Sequence, residues 1–232
     1  MQETLILAAL IIPGLVIAIV FHEVAHGWVA LMLGDPTAKE QRRLSLNPIR
    51  HVDVFGTLIL PGFLALSGAP VFGWAKPVPV NKWRLRNPRY GMMAVAAAGP
   101  GTNFVLALIA AVFLGAFLRF GTPLDPAAPN LLLVAALNFI AMNIFLALFN
   151  MLPIPPFDGS HIVEGLLPPA GARVYDRLRP FGFMLVFGLL LVVPWLFPEL
   201  RLIERVVLPP VEWVQGQYMS LAMWIAGNNL PG

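Results

Sequence analysis

Cysteine is absent from the 232-residue chain, which excludes disulfides and thiolate metal ligands and leaves the redox compartment open. Charge is scarce. Asp, Glu, Lys and Arg make up 12% of residues and hydrophobic ones 58%, whereas a soluble domain carries roughly twice that charged share. With a mean hydropathy of +0.78, the composition predicts an integral membrane protein and makes the lipid bilayer its first partner. The net charge of +3 is small and scattered over loops, so no nucleic-acid surface is expected. A basic leader is also missing. The first apolar stretch carries acidic Glu3 and is read as a membrane span rather than a cleaved signal.

What stands out is His22-Glu23-Val24-Ala25-His26, embedded in the apolar run Leu5 to Leu33. On a helix, residues four apart share a face, so His22 and His26 can hold one metal ion. Glu23 lies about 100° round from His22, beside the metal rather than on it, where a carboxylate can accept a proton from water. Imidazoles and a carboxylate left unpaired at bilayer depth would each cost roughly 2–4 kcal/mol. Partners and a purpose are therefore expected.

Leu5 to Leu33 is long enough to cross a ~30 Å hydrocarbon core, with Pro13 and Gly14 as a kink site and Gly34-Asp35-Pro36 as its end. A polar segment follows with Lys39, Arg42, Arg43 and Arg50; His51 in it is read as a solvated loop histidine. Phe55 to Phe72 is apolar but broken by Gly56, Pro61, Gly62, Gly68 and Pro70. If it crossed, the basic loops on either side would face opposite leaflets, against the positive-inside tendency. A re-entrant or β-hairpin segment avoids this, because irregular backbone is tolerated where it lines a wet cavity.

Gly91 to Leu118 is the next span, opening with small residues that allow close helix approach. Its Asn103 either bonds a neighbouring helix or faces substrate. After the loop Arg119 to Asn130 comes the span Leu131 to Met151. Pro153, Pro155 and Pro156 then break the helix before Asp158-Gly159. Two readings of Asp158 stay open from local pattern: a third ligand completing a His2Asp site, or an Asx-turn residue. His161 is a spare ligand candidate. Phe181 to Phe197 is read as a fourth span, and Val211 to Ala226 as an amphipathic helix in the interface, a short fifth crossing being the alternative.

The expected fold is thus all-α and polytopic. It has about four core transmembrane helices, a re-entrant or β-hairpin segment and a C-terminal amphipathic helix. Residues 1–232 form one membrane-embedded domain, with a core at 5–198 and an interfacial segment at 199–232. With the amino terminus outside, twelve of the 15 Lys and Arg face the cytoplasm, leaving Arg119, Arg201 and Arg205 outside.

These residues resemble the site-2 proteases, zinc metalloproteases that cut peptide bonds within membranes. The likeness rests on His22-Glu23-Val24-Ala25-His26, Gly99-Pro100-Gly101-Thr102-Asn103, and Asn150-Met151-Leu152-Pro153 through Asp158-Gly159, in that order, over about Leu5 to Pro198. The resemblance implies a Zn²⁺ cofactor held by His22, His26 and Asp158, with Glu23 as general base. It also implies Asn103 and Asn150 as residues that hold substrate backbone or the developing oxyanion. Leu44 to Phe72 matches a stretch that in relatives forms a membrane-associated β hairpin or loop. The expected substrate is a transmembrane protein or peptide, and the expected location is the plasma or inner membrane with the active site toward the cytoplasm. Arg119 to Asn130 is too short for the PDZ domain of some relatives, and no CBS-like extension follows Phe197. Regulation would then come from an accessory protein or a homo-oligomer. The rival class is a non-proteolytic metal-binding scaffold or transporter. Transporters usually carry internal repeats, and neither motif occurs twice.

Overall fold

The computed structural model describes residues 2–67, 73–121, 130–201 and 203–227. All regular structure among them is helical. Five helices organise the site: α1 (Gln2–Met32), α2 (Pro88–Phe120), α3 (Leu131–Asn150), α4 (Asp158–Leu166) and α5 (Leu208–Ala226). Three stretches are long and apolar enough to cross a membrane: Ala8–Met32, Pro88–Phe120 and Leu131–Asn150. The first three expected spans therefore appear with their boundaries shifted by a few residues, and α1 runs on through Pro13.

Local chemistry fixes the helix starts. The Asn87 side chain accepts from the backbone N–H groups of Arg89 and Tyr90, and Pro88 stands in the first turn, where a missing N–H costs nothing. Asn130 caps α3 in the same way through Leu133 N–H. Helix α2 is the hub, packing on α1, α3, α4 and α5. Ala107, Ala111 and Leu114 of α2 meet Ile140 and Ile144 of α3 and Val211 and Ala222 of α5 in one buried cluster. The approach of α5 is close enough that a Cβ on Gly115 would lie 2.5 Å from the Ala222 carbonyl oxygen, so only glycine fits there.

Several expectations change. Val54–Ile59 forms a π-helical turn and Leu60–Ser67 an α-helix, so no β hairpin occupies that stretch. Asp53 caps the start through Gly56 N–H, and the helical run continues from the π-turn through Pro61. Residues 68–72, the end of the expected re-entrant segment, and 122–129, most of the loop Arg119 to Asn130, lie outside the described residues. The expected fourth span is the helical run Gly182–Phe187, Gly188–Val192 and Val193–Leu196, broken by a π-turn and shorter than the three long helices. Helix α5 turns Val211, Val214, Tyr218 and Ala222 toward α2 and α3, so it is a packed member of the bundle. His51 is buried at 3% exposure rather than solvated, with Nε2 2.7 Å from the Ser45 carbonyl oxygen.

Candidate metal and catalytic site

His22 and His26 lie on one face of α1, both buried, with ring centroids 4.7 Å apart. Asp158 comes from the first residue of α4. The turn from Met151 to Phe157 brings it back, and a Cβ on Gly159 would sit 2.1 Å from the Met151 carbonyl oxygen, so the chain folds this tightly only with glycine at that position. Asp158 Oδ2 lies 3.1 Å from His22 Nε2 and 3.3 Å from His26 Nε2. It is not an Asx-turn residue: its carboxylate lies against the two imidazoles of α1, across 136 positions of sequence from His22.

The tautomers follow from the partners on the far side of each ring. His26 Nδ1 is 2.7 Å from the Val95 carbonyl oxygen, which can only accept, so Nδ1 carries the proton. His22 Nδ1 is 2.6 Å from Asn103 Oδ1. That oxygen is the acceptor because Asn103 Nδ2 donates to the Ala18 carbonyl and to Asn143 Oδ1, at 3.2 and 2.8 Å. Both Nε2 lone pairs therefore point at the Asp158 carboxylate. The ligand atoms of His22, His26 and Asp158 all lie within 4.8 Å of one another. Such a convergence of acceptors is favourable only with positive charge among them, and one metal ion supplies it to all three. Two nitrogens and one oxygen, each imidazole oriented by a bond to its other nitrogen, are the donor set and support expected of a catalytic zinc site.

Glycine makes room for it. A Cβ on Gly99 of α2 would lie 2.5 Å from His26 Nε2 and 2.6 Å from His22 Nε2. Glu23, next to these rings, is half-buried, and its Oε2 accepts the Val78 N–H at 2.8 Å.

The remaining candidates divide. Asn103 is fully buried, and its side-chain oxygen meets the His22 ring at Nδ1. Asn150 ends α3 with Nδ2 donating to the Leu146 carbonyl at 2.9 Å and has no described contact with the metal cluster. His161 stays out of the cluster and stands against Arg179, which also pairs with Glu164. Burial first, and then the Arg179 charge, lower its pKa to about 4. Sequence reasoning missed Asn143, which is fully buried and backs Asn103. A polar side chain in the middle of an apolar span was the signal that could have found it. It also missed Gly99 as the wall of the site and Val78 as the partner of Glu23.

The sequence profile of Peptidase family M50 matches residues 10–138 and 125–193. The chain is 39% identical over 180 residues to a relative named as a zinc metalloprotease, YwhC of Bacillus subtilis, covering 78% of each chain. It is 28% identical over 182 residues to a similarly named protein, Rip2 of Mycolicibacterium smegmatis, with 78% of this chain and 66% of that one covered. The counterpart in Mycobacterium tuberculosis is 30% identical over 200 residues, with 81% and 73% covered. No solved structure matches it significantly. Helices apolar enough for a bilayer, a buried His2Asp cluster with a carboxylate beside it, and these likenesses converge: the chain belongs to peptidase family M50, the site-2 protease family of zinc-dependent metalloendopeptidases.

Proposed function

We propose that the protein hydrolyses peptide bonds in or near transmembrane segments of other membrane proteins, with His22, His26 and Asp158 as zinc ligands and Glu23 as general base. The observation that carries this reading is the convergence of the two Nε2 atoms and the Asp158 carboxylate inside a bundle of membrane-length helices. Bound zinc supplies Lewis acidity, polarising a carbonyl and bringing the pKa of water toward ~7. Glu23 accepts the proton of the attacking water and returns it to the leaving nitrogen. Asn103 fixes the His22 ring and the Val95 carbonyl fixes His26.

A substrate helix hides its carbonyls in its own hydrogen bonds, so it has to unwind locally before attack. In this reading Asn150, at the end of α3, holds substrate backbone with the side chain that here donates to the Leu146 carbonyl. The distribution of basic residues favours an active site that opens to the cytoplasmic side of a multi-pass cell membrane protein.

The test is cleavage of a model transmembrane substrate in proteoliposomes, with zinc content measured on the same protein. Glu23→Gln is expected to keep zinc and lose cleavage, and His22→Ala to lose both. Wild-type proteolysis by the Glu23→Gln protein ends the assignment.

A further inference from the structure

Glu23 is beside the proposed metal ligands, and among the described residues no hydrogen bond from α1 reaches its carboxylate. The hydrogen bond it receives comes from Val78, in the stretch without regular secondary structure that runs from Gly73 to Val80. Within Pro77-Val78-Pro79 only Val78 has a backbone N–H, because proline has none. The single donor of this stiff tripeptide is spent on the Glu23 carboxylate.

The stretch is clamped at both ends by buried charge. Near its start, Arg43 is only 8% exposed and its Nη2 donates to the Lys76 carbonyl at 2.7 Å, while Lys76 N–H donates to the His51 carbonyl at 2.8 Å. At its end, Asp35 is fully buried, and its Oδ2 accepts the Asn81 N–H at 2.6 Å while Oδ1 accepts from Thr37. Its floor is Gly27, one helical turn beyond Glu23: a Cβ there would come within 2.9 Å of Val78 Cγ1 and 2.4 Å of Leu44 Cδ2. Two buried charged groups that hold backbone at either end of six residues are expensive unless the register of those residues matters.

We infer that Pro77-Val78-Pro79, clamped by Arg43 and Asp35, is the positioning element for Glu23, presenting one backbone N–H that fixes the carboxylate for proton transfer. The inference rests on Glu23 acting as general base. Val78, Arg43 and Asp35 are positioning residues: they act through Glu23 by setting where the base sits.

Two substitutions separate the donor from the side chain. Val78→Ala keeps the N–H and loses the packing on Gly27. Val78→Pro loses the N–H as well, and its ring suits the extended backbone that Pro79 already imposes on residue 78. With full-length protein in liposomes, Val78→Pro is expected to have a kcat roughly tenfold or more below that of Val78→Ala, with equal KM and zinc content. Equal kcat for the two overturns the inference.

If Val78→Pro loses zinc or folds poorly, the clamp carries the test. Arg43→Gln should lower kcat at constant KM and zinc, and Arg43→Lys, which keeps a donor for the Lys76 carbonyl, should restore part of it. On a Glu23→Asp background, where the shorter carboxylate no longer reaches Val78, Arg43→Gln should cost little further. Independent, multiplicative losses in that cycle overturn the inference. Retained activity in Glu23→Gln is read on a separate protein and sinks the role of Glu23 itself, so the two failures are distinguishable.

Discussion

Replacing Gly99 by alanine adds one methyl at the point where the two imidazoles converge. The new Cβ would lie 2.5 Å from His26 Nε2, about 0.9 Å short of ordinary contact at 3.4 Å. The rings cannot swing aside freely, because Asn103 and the Val95 carbonyl hold their far nitrogens at 2.6 and 2.7 Å. Helix α2 is equally confined, packed on four other helices. Metal sites tolerate ligand displacements of about 0.2 Å, so a shift several times larger should weaken zinc by about a hundredfold, or about 2.8 kcal/mol. Overpacking of the fold adds about 1–3 kcal/mol of destabilisation. The assay is competition for zinc against a chelator of known affinity, on protein whose monodispersity and thermal unfolding are followed in parallel. Gly101→Ala is the control, since a Cβ there meets nothing within 4 Å, and its zinc affinity should equal wild type. Wild-type zinc affinity in a folded Gly99→Ala protein would refute the site as drawn.

Other outcomes follow from the same geometry. Asn103→Ala frees the far nitrogen of His22 and should lower zinc affinity about 10–100-fold, measured by the same competition. Asn143→Leu should lower it less, and combined with Asn103→Ala should add little, since it acts through Asn103. His161 has a folded pKa of about 4, below its ordinary 6.5. Between those values the unfolded chain takes up a proton that the folded one refuses, so stability falls as pH drops from 6.5 toward 4, by up to about 3 kcal/mol. His161→Gln should flatten that limb of the pH–stability curve in detergent; an unchanged limb rules out His161 as its source. Asp35 works in the opposite sense. Burial favours its neutral form, but hydrogen bonds from Thr37 and Asn81 outweigh this and hold its pKa below the ordinary carboxylate value. Its stabilisation is present above the ordinary value and lost as pH falls through the depressed one, so Asp35→Asn should cost stability at neutral pH that strong acid erases.

How far the sequence carried the reading depends on how local each feature is. His22, Glu23 and His26 lie within five residues of one helix, and helical geometry alone puts them together. Asp158 could not be placed by local pattern, because its role depends on a turn that returns it across 136 positions to α1. The three long spans were legible from apolar length. The stretch from Val54 to Ser67 was not, because its glycines and proline read as breakers, while an Asp53 cap starts a π-turn from which the helix runs on past Pro61. His51 looked like a loop residue, and only the chain folding back over it reveals that it is buried. Val78 and Gly99 contribute a backbone N–H and a missing methyl, and neither leaves a mark in side-chain chemistry.

The line from Asn143 through Asn103 to His22 links α3, α2 and α1 by single hydrogen bonds of 2.8 and 2.6 Å. Sliding any one of these helices by an ångström parts the line. Zinc retention is therefore a gauge of how the three helices are registered, readable without substrate. A lipid, a detergent or a bound protein that shears the bundle should announce itself as a change in chelator resistance before any peptide bond is tested.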